Sequence, residues 1–270
     1  MSYKEVQIHK KKQYKPTLFF FHFKALNFVE KNMIYLQIIS ILLAVTLGGK
    51  GDNPPGTKMI SEGFYSDITE VRNIDWREYV YWEKRVNGDT SEQYLNSLPD
   101  SSYWKYPGLS FNEYYAQPKY NNCPVVCISY AQAVSYCQWR SDRVNENYYR
   151  KKNKIQYTTQ IDYSKVIIPV VVTYRLPSPA EWEKLAALDG TAKSVFSSQG
   201  NYGQAVCSMK SDASGLCDMA GNVSEMTSMQ GIAKGCSFTN KAEEFNIKTD
   251  FTYNKPTFWL GFRCVCDKTK

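Results

Sequence analysis

The sequence predicts an α+β domain in which regular secondary structure is sparse, and three observations carry that expectation. Three segments begin with helix-start signals, two are apolar and β-branched or aromatic enough for strands, and most of the remainder is loop with Tyr, Asn and Ser prominent. Taken in order, Asn73 is placed to cap a helix carrying Ile74, Tyr79 and Val80. Ser129 with Gln132 makes a capping box, in which each side chain bonds the other's backbone N–H, ahead of Val134 and Cys137. Ser178-Pro179-Ala180-Glu181 is the strongest start signal, joining an N-cap Ser to Pro at the first helical position and Glu three residues after the cap. Trp182, Leu185 and Ala186 then supply that helix's buried face. Residues 166–174 and 259–265 are the expected strands, and 145–164, polar and Tyr-rich, is expected to be a surface excursion. No internal repeat is visible.

The chain is expected to divide into an export leader with its linker, 1–57, and a single domain, 58–270. A Lys-rich stretch (Lys10, Lys11, Lys12, Lys15) precedes an aromatic run at 19–23 and then the apolar segment Ile34 to Leu47. That segment is shorter than the roughly 20 residues a spanning helix needs, so it reads as a signal-peptide core followed by Gly48 and Gly49. Both a long leader and a start at Met33 are compatible with it. No Cys follows the apolar run, so the lipid attachment site of a bacterial lipoprotein is lacking. Breakers at Asn53, Pro54 and Pro55 mark the linker. Eight cysteines, all between Cys123 and Cys266, suit an oxidising compartment, so the periplasm, outer membrane or cell surface is the expected location.

The net charge of +7 belongs to the leader: residues 1–58 hold nine Lys against three acidic residues, and the rest holds 24 basic against 23 acidic. A near-neutral domain argues against nucleic acid as a partner. Membrane contact is expected only through the leader, if it stays uncleaved.

Only two histidines occur, His9 and His22, both in the leader. The domain therefore has no imidazole for a Ser-His-Asp or Cys-His nucleophile, nor for a His-ligated zinc or iron site. Thiolate pairs stand at Cys123 and Cys127 and at Cys264 and Cys266, but disulfides or buried thiols explain them with fewer assumptions than a soft metal. The hard-metal candidate runs from Gly215 to Glu225, where Asp218 and Glu225 flank a Gly-Asn turn whose carbonyls can point between them, a mixture calcium favours. Spacing alone leaves that reading level with one in which Asp218 caps a turn and Glu225 is solvated.

Six blocks together resemble the formylglycine-generating enzyme, or sulfatase-modifying factor, family. They are 63–73 (GFYSDITEVRN), Pro124 to Tyr130 leading to 133–137 (AVSYC), 174–183 (YRLPSPAEWE), 218–225 (DMAGNVSE), 235–238 (GCSF) and 260–264 (LGFRC). The likeness covers about residues 60–268 and implies a C-type-lectin-like fold. A narrower likeness, carried by 114–120 (YYAQPKY) and 139–146 (WRSDRVNE), is to the gliding-motility and type IX secretion members of that superfamily. Those are structural parts of an envelope machine, so protein partners in a secretion or motility complex are implied.

The resemblance places a calcium loop on the side chains of Asp218 and Glu225 and the carbonyls of Gly221 and Val223, and a disulfide on Cys137 and Cys264. The active enzymes oxidise a substrate cysteine with copper held by two cysteines five residues apart, shortly after the Gly-Gly-Ser segment. Counted from Gly235, those places hold Asn240 and Phe245, so copper is not expected. Cys127 and Cys236 occupy places normally taken by Gly and read as added disulfide partners. The implied function is a non-catalytic extracytoplasmic binding or scaffold module. The alternatives are a formylglycine-generating-type oxidase with a rearranged thiol pair such as one using Cys236, and a glycan-binding lectin-like module motivated by 21 Tyr and 6 Trp.

Overall fold

A computed structural model describes residues 53–188, 203–208 and 215–269. The leader expectations for residues 1–52 fall outside the described residues. No helix among the described residues is long and apolar enough to cross a membrane.

Among the described residues two small sheets and five α-helices carry the fold. The first sheet has the order β1-β2-β8-β3, built from Thr57–Ser61, Phe64–Asp67, Val265–Lys268 and Val172–Arg175, with every neighbour antiparallel. The second has the order β6-β5-β4-β7, from Phe251–Thr252, Ile232–Lys234, Ser224–Met226 and Leu260–Gly261, with β4 and β7 parallel. The expected strand at 259–265 is thus two strands. The chain leaves the second sheet after Gly261 and joins the first at Val265, so one apolar run serves both. Of the expected strand at 166–174 only the C-terminal part is strand, because its partner β8 offers four residues of register and Pro169 cannot donate to a ladder.

The helices are α1 (Asn73–Asn87), α2 (Glu92–Ser97), α3 (Phe111–Ala116), α4 (Tyr130–Lys152) and α5 (Pro179–Leu188). Two boxes form as expected: Ser129 Oγ accepts from Gln132 N at 3.2 Å while Gln132 Oε1 accepts from Ser129 N at 2.7 Å, and Ser178 and Glu181 exchange the same pair of bonds. Asn73 is not the cap of α1. Arg72 holds that place, with Asp75 accepting from its backbone N–H at 3.1 Å. Asn73 is buried instead, and its amide donates to the carbonyls of Tyr114 and Tyr120 at 3.0 and 3.1 Å, pinning the α3 region. The surface excursion expected from 145 begins later, because α4 runs on to Lys152.

The main core lies between α1, α4 and the sheets. Trp76 stacks on Tyr136 at 5.4 Å, and both meet Phe262 edge-on, at 6.1 and 5.5 Å. Arg140 of α4 reaches across to grip both oxygens of Asp67 at 2.7 and 2.8 Å, and one of these also accepts the Cys264 N–H at 3.0 Å. The same guanidinium donates to the carbonyl of Pro55, so the stretch before β1 is tied to the domain. The outer edge of β3 is closed by α4. Asn145 Oδ1 accepts from Val171 N and Val172 N at 2.9 Å, its amide donates to Val172 O, and Ser141 Oγ accepts from Tyr174 N. Side chains thereby do what a further strand would do for an open edge.

Candidate functional site

The chain turns sharply through 215–226, and the residues there suit the turn. Asp218 and Asn222 take the left-handed conformation, φ 58° and 59°, which Asp and Asn tolerate better than other side chains. Gly235 is required opposite them: at φ 74° it lies where a Cβ would sit 3.1 Å from the Trp182 ring and 3.3 Å from the Met219 carbonyl.

Within this turn the sequence-predicted residues go to different partners. Glu225 is fully buried, and its two oxygens accept from Arg263 Nε at 2.8 Å each, from Arg263 Nη2 at 2.6 Å and from the Trp182 indole at 2.7 Å. Arg263, equally buried, spends its remaining donors on the carbonyls of Asp67, Ile68 and Cys217. Burial alone would disfavour its charge, and Glu225 more than restores it, leaving the guanidinium held above its ordinary value. Glu225 is therefore not solvated; it is one half of a buried ion pair. Asp218 does act within a turn, accepting the Cys207 N–H at 2.6 Å beside a disulfide between Cys207 and Cys217.

Glu70 joins this group and was not visible as a site residue in the sequence. Its only signal was its place in the 63–73 block. It is 1% exposed, with one oxygen accepting from the Asn222 amide at 3.0 Å and the other, Oε2, without a partner. Burial first and the Asp218 carboxylate second push its carboxyl well up, and burial likewise raises Asp218. Glu70, Asp218 and Glu225 are thus gathered near one guanidinium, which hydrogen-bonds Glu225, while burial disfavours the ionised forms of Glu70 and Asp218. Asp218 lies outside the hydrogen bonds that join Glu225 to Arg263. At the Glu225 end a cation does not fit, because both oxygens already serve Arg263 and Trp182. No group of three or more His, Cys, Asp or Glu side chains among the described residues is arranged to hold a metal.

The two positions that the resemblance sets against copper ligands, Asn240 and Phe245, have other partners. Asn240 Oδ1 accepts from Ser237 N at 3.0 Å and Ser237 Oγ at 3.1 Å, and its amide donates to Glu244, so it stitches a turn. Phe245 packs against the core formed by Trp182, Leu185 and Met219 and lines a shallow groove with Ala180, Glu183 and Ile247. Cys236 is fully buried, and burial pushes its thiol up to about 11. Burial likewise raises Cys123, Cys127 and Cys266 to about 12, so without a metal they stand as thiols. Cys127 has φ 60°, a conformation that costs a non-glycine residue on the order of 1 kcal/mol and explains why Gly is the usual occupant. Cys137 and Cys264, separated in sequence by most of the domain, are brought face to face with their sulfurs 3.4 Å apart as unbonded thiols.

Residues 40–268 match the model of the sulfatase-modifying factor enzyme 1-like domain. The chain belongs to this family. Its α+β, C-type-lectin-like architecture with sparse regular structure is that of the sulfatase-modifying factor domain. Solved structures similar in chain path include PvdO from Pseudomonas aeruginosa, at 16% identity over 76% of this chain and 80% of that one, TM-score 0.48. CarF is similar at 17% identity over 77% and 87%, TM-score 0.46, and Treponema denticola variable protein 1 at 18% over 76% and 84%, TM-score 0.43. No curated protein matches the sequence.

Proposed function

We propose that this sulfatase-modifying factor domain is a non-catalytic extracytoplasmic binding or scaffold module, allied to the gliding-motility and type IX secretion members and working among protein partners in an envelope complex. One observation carries the non-catalytic half: the places where the family's active members hold copper are a turn-stitching amide, Asn240, and a packed ring, Phe245. Neither supplies a thiolate, and Cys236 nearby is buried, with its thiol raised by that burial. The envelope half rests on the sequence blocks 114–120 and 139–146 and on the expected leader. A structural calcium ion belongs to the same reading, held by Asp218 and the carbonyls of Gly221 and Val223, with Glu225 acting through Arg263 instead of as a ligand.

The purified chain incubated with a cysteine-containing peptide, oxygen and copper tests this. The peptide is expected to keep its thiol, and conversion of that cysteine to an aldehyde would show a working oxidase. Cross-linking in intact envelopes tests the other half, with a larger assembly expected and recovery of the monomer alone counting against a scaffold.

A further inference from the structure

Beyond α4 the chain doubles back as a ribbon, residues 153–171, and this ribbon is firmly held. Arg150 donates to the carbonyls of Gln156 and Thr159 at 3.0 and 2.9 Å, Tyr163 donates its hydroxyl to Glu146 at 2.9 Å, and Asn145 holds the far end. Despite that anchoring it turns aliphatic side chains to solvent. Ile167 is 92% exposed and Val170 65%, with Tyr157 and Tyr163 about half exposed. Isolated apolar side chains on a surface are ordinary, but two strongly exposed aliphatic side chains three positions apart on an anchored segment suit an interaction surface.

Charge says what kind. Residues 143–171 hold six basic side chains against two acidic ones, whereas the remainder of 59–270 holds 18 against 21. Both acidic groups are already matched, Glu146 by Arg143 and Arg150, and Asp162 by Lys165. Lys151, Lys152 and Lys154 are exposed and make no ion pair among the described residues. A partner that adds a strand is disfavoured, since the edge of β3 is closed by Ser141 and Asn145. One stretch of chain that exposes aliphatic side chains, half-exposed tyrosines and lysines without ion pairs among the described residues has the chemistry an anionic membrane surface takes, where apolar side chains enter the acyl boundary and lysines meet head groups.

We infer that the 153–171 ribbon and the basic end of α4 form a docking surface for an anionic lipid bilayer, a membrane contact separate from the leader and independent of whether the domain is catalytic. Because the leader would itself bind vesicles, the readout must be local. Amide hydrogen exchange across 153–171 is measured in the full chain, with vesicles of phosphatidylcholine alone and vesicles containing phosphatidylglycerol. Exchange is expected to slow in this ribbon only with the anionic vesicles. The protection is expected to vanish in I167D/V170D, and to weaken about fivefold for each of Lys151, Lys152 and Lys154 changed to Gln. Melting temperatures of these surface variants should match the parent, and the Lys variants keep the test decisive if I167D/V170D fails to fold. Unchanged exchange in 153–171 with anionic vesicles, equal protection by both compositions, or protection given only by a bound protein would each overturn the proposal.

Discussion

Replacing Glu225 with Ala removes one carboxylate from the buried cluster around Arg263, and the structure sets the cost. Three bonds to Arg263 at 2.6–2.8 Å and one from Trp182 at 2.7 Å are lost together. The guanidinium is left fully buried with only the Asp67, Ile68 and Cys217 carbonyls as acceptors. Breaking a buried pair from one side costs about 3–5 kcal/mol, because the other charge loses its hydrogen-bonded partner while it stays buried. A buried indole N–H left without an acceptor adds about 1 kcal/mol or more. For a domain of this size a loss of about 4–6 kcal/mol lowers the melting temperature by roughly 8–24 °C. Removing both charges is different: Glu225→Leu with Arg263→Met is expected to recover most of the loss, since apolar replacement of a whole buried pair is often close to neutral. Differential scanning fluorimetry of Glu225→Ala and of the double variant, each with calcium and with chelator, reads this out. The same drop is expected in both solutions. An E225A protein that melts within about 2 °C of the parent would refute the ion-pair account, and a drop seen only with calcium present would make Glu225 a calcium ligand after all.

Three further outcomes follow from other parts of the fold. Under oxidising conditions Cys137 and Cys264 should appear as one bridged peptide pair by mass spectrometry, and C137S should then lower stability by about 4–5 kcal/mol, as expected for closing so long a loop. Recovery of both as free thiols from oxidising medium would contradict that pairing. Calcium at about a hundredfold excess over its dissociation constant should stabilise the parent by about 2.7 kcal/mol and leave Asp218→Ala unmoved, whereas equal melting of the parent with calcium and chelator would remove the site. Glu181 accepts from Arg175, which with the Ser178 N–H and against burial holds its carboxyl down to about 2 from an ordinary 4.5. A depressed value means its stabilisation is complete above pH 4.5 and fades as pH falls toward about 2. Acid titration of Glu181→Gln should therefore show a flatter stability profile across that interval, and an unchanged acid limb would speak against the ion pair.

How much of this could be read from the sequence depended on the range of the interaction. The Ser129–Gln132 and Ser178–Glu181 boxes are legible because both partners lie three residues apart and the rule is local. The preference for Asn at a cap misled at α1, since Arg72 holds the cap with Asp75 and Asn73 bonds the Tyr114 and Tyr120 carbonyls instead. Strand limits were less legible, because β3 stops where β8 stops and the run through 259–265 is cut by a change of sheet. The 218–225 block showed where the buried cluster lies, but not that Arg263, 38 positions on from Glu225, would claim that carboxylate, nor that Glu70 would stand beside it with an unpartnered oxygen. The disulfide between Cys207 and Cys217 was equally hidden, as eight cysteines leave the pairings open. The loss of the copper thiolates at Asn240 and Phe245 was readable only through the family resemblance, and the structure adds what those side chains do instead.

Copper(I) titration of the purified full chain against a competing chelator tests the central claim most directly. With Asn240 and Phe245 where two thiolates would stand, and Cys236 buried as a thiol, no binding at micromolar or tighter concentrations is expected, and Cys236→Ser should titrate like the parent. Tight stoichiometric binding that Cys236→Ser abolishes would mean that the family's copper chemistry survives in this chain on a rearranged ligand pair.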